Sequence, residues 1–149
     1  MSGYNEEAYK AARNTVIALK CPFERALLSR CVDCSAAKRL LLAEREAITC
    51  SQEQANDRCL RFHEALHRNA RFALHMDADQ PWPFGKEIRA QCGGIRGLQE
   101  AMGVTTGAES ADVLALIHEG LQRFGNIEDF PYSQIMRGVV HYEPRKKHP

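Results

Sequence analysis

The distribution of cysteines is the feature that most constrains this 149-residue chain. Five of its six cysteines lie between positions 21 and 59, namely Cys21, Cys31, Cys34, Cys50 and Cys59. Thiolates are soft ligands, which zinc and iron–sulfur clusters favour. A chain of this length can bury enough apolar surface to fold without covalent staples. The clustering therefore predicts a site that binds an inorganic group, rather than a need for disulfides.

The composition is that of an ordinary globular protein, with 44% hydrophobic and 26% charged residues. The net charge of +1 predicts no nucleic acid or acidic membrane as a required partner. No apolar run reaches the length of a membrane span, and the polar N-terminal stretch with early acidic residues argues against a secretory leader. We therefore expect a cytoplasmic protein, a compartment in which thiols usually stay reduced.

The spacing of apolar residues predicts an all-α fold, a compact irregular bundle of five to seven helices with cysteine-bearing helices at its N-terminal end. A stripe at three- and four-residue steps predicts a first helix over residues 5–20. Pro22 is suited to the first turn of a second helix, whose inward face would carry Phe23, Leu27, Cys31 and Cys34. The helix formers of "SAAKRLLLAEREAI" predict that the helical structure continues.

A long helix is predicted to start at a capping box formed by Ser51 and Gln54 and to run to about Leu74. Two prolines and a glycine in "DADQPWPFG" then break it, and Trp82 is expected to pack this loop onto the core. We predict one domain over residues 1–149. A subdivision into a cysteine-rich half (1–76) and a second helical half (84–149), with 77–83 as linker, is compatible with the pattern.

The second half is predicted to be helical as well. Gly93 and Gly94 interrupt the first helical pattern, and Ser110 is expected to cap a later helix that Gly125 ends. Pro131 is suited to start the last helix. The short stretch "GVVHY" is the one candidate strand.

The cysteine spacing favours an iron–sulfur cluster over zinc. Zinc sites usually combine two short-spaced cysteine pairs, whereas this chain has one C-x-x-C and three scattered thiols. This pattern is typical of an irregular four-cysteine site, so we predict a [4Fe–4S] cluster held by four of Cys21, Cys31, Cys34, Cys50 and Cys59. His63, one turn after Cys59, is a lower-ranked ligand or an outer-sphere hydrogen-bond donor. Zinc is the alternative metal.

Two alternatives come from other functional classes. Buried free cysteines also behave as small hydrophobic side chains, which would make the protein a cofactor-free helical interaction module. The stretch "HEALH" matches H-E-x-x-H, the helical zinc motif of metalloproteases. In that hypothesis His63 and His67 bind zinc, Glu64 activates water, and His75 is a candidate third ligand.

The spacing of four of the cysteines also carries a resemblance. Cys21 and Cys31 are separated by nine residues, and Cys50 and Cys59 by eight. The arrangement resembles the twin C-x9-C helical hairpins of the mitochondrial intermembrane space, with one residue too few in the second pair and Cys34 left over. The resemblance implies two disulfides among these four cysteines that staple two antiparallel helices.

The sixth cysteine, Cys92, lies in "QCGGIRG". A corner between two helices, an additional cluster ligand and a free thiol all fit this context. The expected function is electron transfer, redox sensing or cluster-dependent docking to a redox enzyme or complex. The protein is not expected to be an enzyme on its own. The sequence leaves its oligomeric state open.

Overall fold

The computed structural model describes residues 6–104 and 111–143 of the chain. Helices hold 60% of the described residues and strands 13%, so the all-α prediction is correct only for the larger part of the protein. The α-helices are α1 (Glu6–Val16), α2 (Glu24–Leu28), α3 (Glu53–Ala73), α4 (Phe84–Ile88), α5 (Gly94–Ala101), α6 (Val113–Phe124) and α7 (Tyr132–His141). A π-helical turn, Arg89–Gly93, joins α4 to α5, and a 3-10 turn, Ile127–Asp129, precedes α7. The strands are β1 (Val32–Asp33), β2 (Ala37–Leu42), β3 (Arg45–Cys50) and β4 (Ala111–Asp112).

The segment predicted to continue as a helix is instead a β-hairpin. Strands β2 and β3 pair antiparallel, with Leu42 opposite Arg45. The two turn residues, Ala43 and Glu44, both have positive φ, as a tight two-residue hairpin turn requires. Ile48 of β3 is fully buried. Helix propensity amounts to only tenths of a kcal/mol per residue, so the burial of this strand outweighs it.

The C-x-x-C pair also lies outside a helix, contrary to the prediction. Helix α2 ends at Leu28, and Arg30 adopts a positive φ of 63° that turns the chain. Strand β1, between the two cysteines, pairs parallel with the distant strand β4. Asp112 of β4 accepts hydrogen bonds from the backbone N–H groups of Ser35 and Leu114. The backbone of this segment is therefore bonded to a partner nearly eighty positions away, which local periodicity cannot reveal.

The long helix and the break after it are confirmed. Helix α3 starts at Glu53 and ends at Ala73, and the next helix begins at Phe84. The predicted capping box is wrong, because the helix has no side-chain cap and the Ser51 hydroxyl instead donates to the carbonyl of Ala36.

Some predictions for the second half of the chain are also confirmed, and others are not. Gly125, with φ of 88°, ends α6, and Pro131 immediately precedes α7, as predicted. Ser110 lies outside the described residues, and the side chain of Asp112 caps α6. The candidate strand "GVVHY" belongs mostly to α7.

Glycines bring the segment around α5 very close to α7. A Cβ atom on Gly138 would lie 2.5 Å from the carbonyl oxygen of Gly93 and 2.7 Å from the Cα of Gly97. Gly93 therefore allows close packing of two backbones instead of ending a helix. The main buried cluster draws side chains from both sides of the 77–83 segment, including Phe23, Phe62, Leu98, Ile117 and Ile135.

Candidate functional site

Four cysteines from four separate segments line one small cavity. Cys21 precedes α2, Cys34 follows β1, Cys50 ends β3 and Cys59 lies in α3. All four are free thiols. The fold thus brings together four of the five cysteines that the sequence singled out, in the number that a four-thiolate site requires.

The rest of the cavity wall is mainly apolar. Phe23, Leu27 and Val113 line it together with small alanine side chains, and the space inside is about 10 Å³, roughly the size of one water molecule. One polar side chain, Asn56, also lines the cavity, and its amide donates to the backbone carbonyl of Lys20. This hydrogen bond ties α3 to the residue that precedes Cys21.

Three of the thiols, those of Cys21, Cys34 and Cys59, keep their protons in this environment. Burial raises the pKa of Cys21 to about 12. Burial likewise raises the pKa of Cys34 and of Cys59 above the ordinary thiol range. Negative charge on the neighbouring cysteines adds to the rise at Cys59, where Cys34, Cys21 and Cys50 all contribute. The four sulfurs are therefore near enough for each thiolate to disfavour the next, which a bound cation would reverse.

Backbone N–H groups point at two of the sulfurs. The N–H of Phe23 bonds to the sulfur of Cys21, and the N–H groups of Ala36 and Leu114 bond to the sulfur of Cys34; each lowers the pKa of the thiol it contacts, against the larger effect of burial. Such bonds stabilise thiolates and tune the potential of iron–sulfur clusters. The cavity thus disfavours isolated thiolates but already contains donors that suit metal-bound ones.

The spacing of the sulfurs bears on which inorganic group fits. In the described part of the chain, one group of three potential ligand atoms within 4.8 Å of one another is found, and it contains no cysteine. A single zinc ion with bonds of about 2.3 Å would hold its sulfurs about 3.8 Å apart. No three of the four cysteine sulfurs lie that close to one another. A cubane cluster spreads its thiolates further, because each binds a different iron.

The two remaining cysteines, Cys31 and Cys92, form a disulfide. Cys31 was a candidate ligand, and as a half-cystine it offers no thiolate. The pairings that the twin C-x9-C resemblance implied are not formed, because Cys21, Cys50 and Cys59 are free. The expectation of reduced thiols is also wrong for this pair. The turn at Arg30 directs Cys31 away from the cavity and towards the π-helical segment that carries Cys92.

A second cluster lies on the other side of Phe23 and contains two histidines and a glutamate. His63 and His67, one turn apart on α3, place their Nε2 atoms 3.0 and 2.9 Å from Oε2 of Glu87 on α4. Gln91 donates to the same oxygen at 2.8 Å. Hydrogen bonds from His63, His67 and Gln91 lower the pKa of Glu87 well below its usual range, although burial, the largest single influence, raises it.

Aromatic rings fix the orientation of both imidazoles. The indole of Trp82 stacks on the ring of His67, with centroids 4.0 Å apart and planes 20° apart. Phe23 meets the ring of His63 edge-on at 5.7 Å. The predicted role of Trp82 as an anchor of its loop therefore includes a contact with a titratable side chain.

The carboxylate that lies against the two imidazoles is that of Glu87, and not that of Glu64 in the H-E-x-x-H motif. Glu64 is exposed, whereas Glu87 is buried against both rings. His75, the candidate third ligand, is exposed as well. His63 belongs to this histidine cluster; its nearest link to the cysteine cavity is Phe23, which contacts the His63 ring and lines the cavity.

No pattern in the sequence pointed to Glu87 and Gln91. They are four positions apart, so they share one face of the helical segment. Their meeting with His63 and His67 depends on how the π-helical turn that follows α4 packs against α3, beyond the proline-containing segment.

No protein-family model matches this chain, and neither the curated proteins nor the solved structures contain a match. No helix in the described ranges is long and apolar enough to cross a membrane.

Proposed function

We propose that this protein holds a [4Fe–4S] cluster through Cys21, Cys34, Cys50 and Cys59 and that it works in electron transfer, redox sensing or docking to a redox enzyme. The observation that carries the proposal is the meeting of four free thiols at one apolar cavity, while the other two cysteines pair with each other. Buried cysteines that served only as packing would have no reason to collect in this number at one point.

The spread of the sulfurs bears on the choice between a polynuclear cluster and zinc. No three of the four cysteine sulfurs lie within 4.8 Å of one another, whereas zinc would hold all four about 3.8 Å apart. A cubane cluster binds each thiolate to a different iron and so suits a wider spread, but its atoms need more room than the 10 Å³ space provides. Three of the four cysteines lie outside helices, and their segments would have to move outward to admit the cluster.

The full set of four thiolates limits the chemistry of such a cluster. Each iron would be bound by one cysteine, so none would have an open position for a substrate. Cys59 is buried and the other three cysteines are half-buried, so part of the solvent around the sulfurs is excluded, and this would lower the solvent reorganisation that accompanies gain or loss of one electron. Electron transfer or sensing, with a protein as the redox partner, fits this arrangement better than catalysis at the cluster.

The experiment is anaerobic reconstitution of the full chain with iron and sulfide, followed by iron and acid-labile sulfide analysis, absorption spectroscopy and EPR after reduction. We expect about four irons and four sulfides per chain. The variants Cys34→Ser and Cys59→Ser should bind much less iron. The comparison variant is Cys31→Ser/Cys92→Ser, which removes two cysteines outside the cavity together with their disulfide; once circular dichroism shows it to be folded, it should retain the cluster.

Two results would reject the proposal. If the protein binds no iron but binds one equivalent of zinc, and if Cys34→Ser loses that zinc, the cavity is a structural zinc site. A protein that stays metal-free after reconstitution with either metal would be a helical interaction module.

A further inference from the structure

We propose that His63, His67 and Glu87 form a second site, which binds one divalent transition-metal ion with part of its coordination sphere open. This inference is independent of the cysteine cavity. Their ligand atoms, two imidazole nitrogens and one carboxylate oxygen, lie within 4.8 Å of one another. Two histidines and a carboxylate are the ligand set of catalytic zinc sites and of non-haem Fe(II) sites.

The contacts around Glu87 are more crowded than an ordinary hydrogen-bond network requires. Three nitrogens, from His63, His67 and Gln91, approach the single oxygen Oε2 within 3.0 Å. A carboxylate oxygen offers about two lone pairs, so three N–H donors exceed what one oxygen accepts well. An ion bound by the two imidazoles and the carboxylate would replace two of these N–H contacts with metal–ligand bonds.

The balance of charge also favours a cation. Glu87 is 9% exposed, and a buried carboxylate is tolerated only with donors or a cation beside it. The two imidazole rings that face it lie 4.1 Å apart. A divalent ion held by the carboxylate and the two imidazole nitrogens would offset the charge of the carboxylate.

The site is preorganised in the way that metal sites are. Trp82 and Phe23 hold the two rings. Gln91 is a positioning residue, because its amide nitrogen donates to Glu87 while its carbonyl oxygen accepts the backbone N–H of Ala26. Such outer contacts fix the ligating carboxylate and raise metal affinity.

One side of the cluster faces a groove. His63, Glu87 and Gln91 contribute to the wall of a cleft of about 600 Å³, together with Arg25 and Phe84. Three protein ligands leave at least one position of a four-coordinate ion free for water or a small ligand. An ion bound here would therefore be reachable from solvent.

Cobalt(II) is the probe that separates the two sites. Apo-protein, reduced or oxidised at the disulfide, would be titrated with Co²⁺ and followed by absorption spectroscopy, and Zn²⁺ binding would be measured by calorimetry. We expect the histidine cluster to bind one equivalent of Co²⁺, whose spectrum shows d–d bands without sulfur-to-cobalt charge transfer. The Cys34→Ser/Cys59→Ser variant should still bind this equivalent. Thiolate binding would instead give intense charge-transfer bands that this variant loses.

Three variants test the ligands. Glu87→Gln and His67→Gln should each abolish this equivalent, and Gln91→Ala should weaken binding about 10- to 100-fold. Glu64→Gln, on the same helix but exposed, is the matched control and should bind as the wild type does. Circular dichroism of each variant checks the fold.

The proposal is overturned if wild-type protein binds neither Co²⁺ nor Zn²⁺ at this site. It is also overturned if folded Glu87→Gln and His67→Gln bind as wild type does. Should Glu87→Gln not fold, His67→Gln decides.

Discussion

Cys31 and Cys92 are joined by a disulfide across 61 positions of the sequence, with their Cα atoms 6.1 Å apart. The bond connects the end of the α2 turn to the π-helical segment that carries Gln91. One covalent link therefore holds together the segment next to Cys34 and the helix that supports Glu87. Each candidate site has one of its elements fixed by this bond.

Reducing this disulfide should lower the stability of the protein considerably. Chain-entropy arguments give about 4 kcal/mol for a loop of this length. Urea unfolding of the oxidised and the reduced protein measures the difference, and Cys31→Ser/Cys92→Ser should match the reduced wild type. If oxidised and reduced protein unfold at the same urea concentration, the two cysteines do not form this bond in solution.

Cys21, Cys34 and Cys59 should be alkylated slowly, and their alkylation rates should keep increasing at high pH. Only the thiolate reacts, and burial raises the pKa of Cys21 to about 12. Below that pKa the iodoacetamide rate at Cys21 should increase about tenfold per pH unit. An ordinary thiol levels off above about pH 8.5.

Peptide mass spectrometry of metal-free protein between pH 7 and 10 checks this prediction, with an unstructured cysteine peptide as control. A plateau at Cys21 near pH 8.5 would contradict it. Bound cluster or metal should suppress the reaction at Cys21, Cys34, Cys50 and Cys59 together.

Glu87→Gln should destabilise the metal-free protein by about 1–3 kcal/mol at neutral pH, because it removes charge-assisted hydrogen bonds to His63 and His67. The pKa of Glu87 is lower in the folded than in the unfolded state. The stability it contributes is therefore fully present above the unfolded value of 4.5 and is lost as the pH falls through the lower, folded value.

Urea unfolding of wild type and Glu87→Gln at pH 7, 5 and 3 measures the effect. The gap between the two proteins should be largest above pH 4.5 and should shrink towards acid pH. A gap that widens on acidification would contradict the assigned shift, and Glu64→Gln should show no comparable gap.

Gly138→Ala should lower the free energy of unfolding by about 1–3 kcal/mol, since the new Cβ atom would meet the backbone of Gly93 and Gly97 at 2.5 and 2.7 Å. Gly85→Ala is the matched control. Nothing lies within 4 Å of a Cβ at Gly85, and alanine in a helix should stabilise by about 0.5–1 kcal/mol. Thermal unfolding of both variants compares them. Equal shifts would mean that α5 and α7 do not pack this closely.

Local signals in the sequence determined much of the helical structure. The break at Pro81 and Pro83, the end of α6 at Gly125 and the start of α7 after Pro131 follow from the backbone limits of proline and glycine, which act at the residue itself. The periodicity of α3 likewise needs only its own apolar face. The sequence also indicated the cysteines as candidate ligands, because their clustering along the chain can be recognised without a structure.

Tertiary structure alone decided the rest. Helix formers at residues 35–48 became a hairpin because strand β3 buries Ile48 in the core, and propensity is too small to resist that. The choice of Cys31 as partner of Cys92, and of Cys21, Cys34, Cys50 and Cys59 as neighbours, depends on where separate segments meet in space. The same holds for Glu87, which reaches His63 and His67 because the π-helical turn after α4 packs against α3. Long-range contacts of this kind produce no periodic pattern of residues in the sequence, because each depends on the sum of packing energies over the whole core.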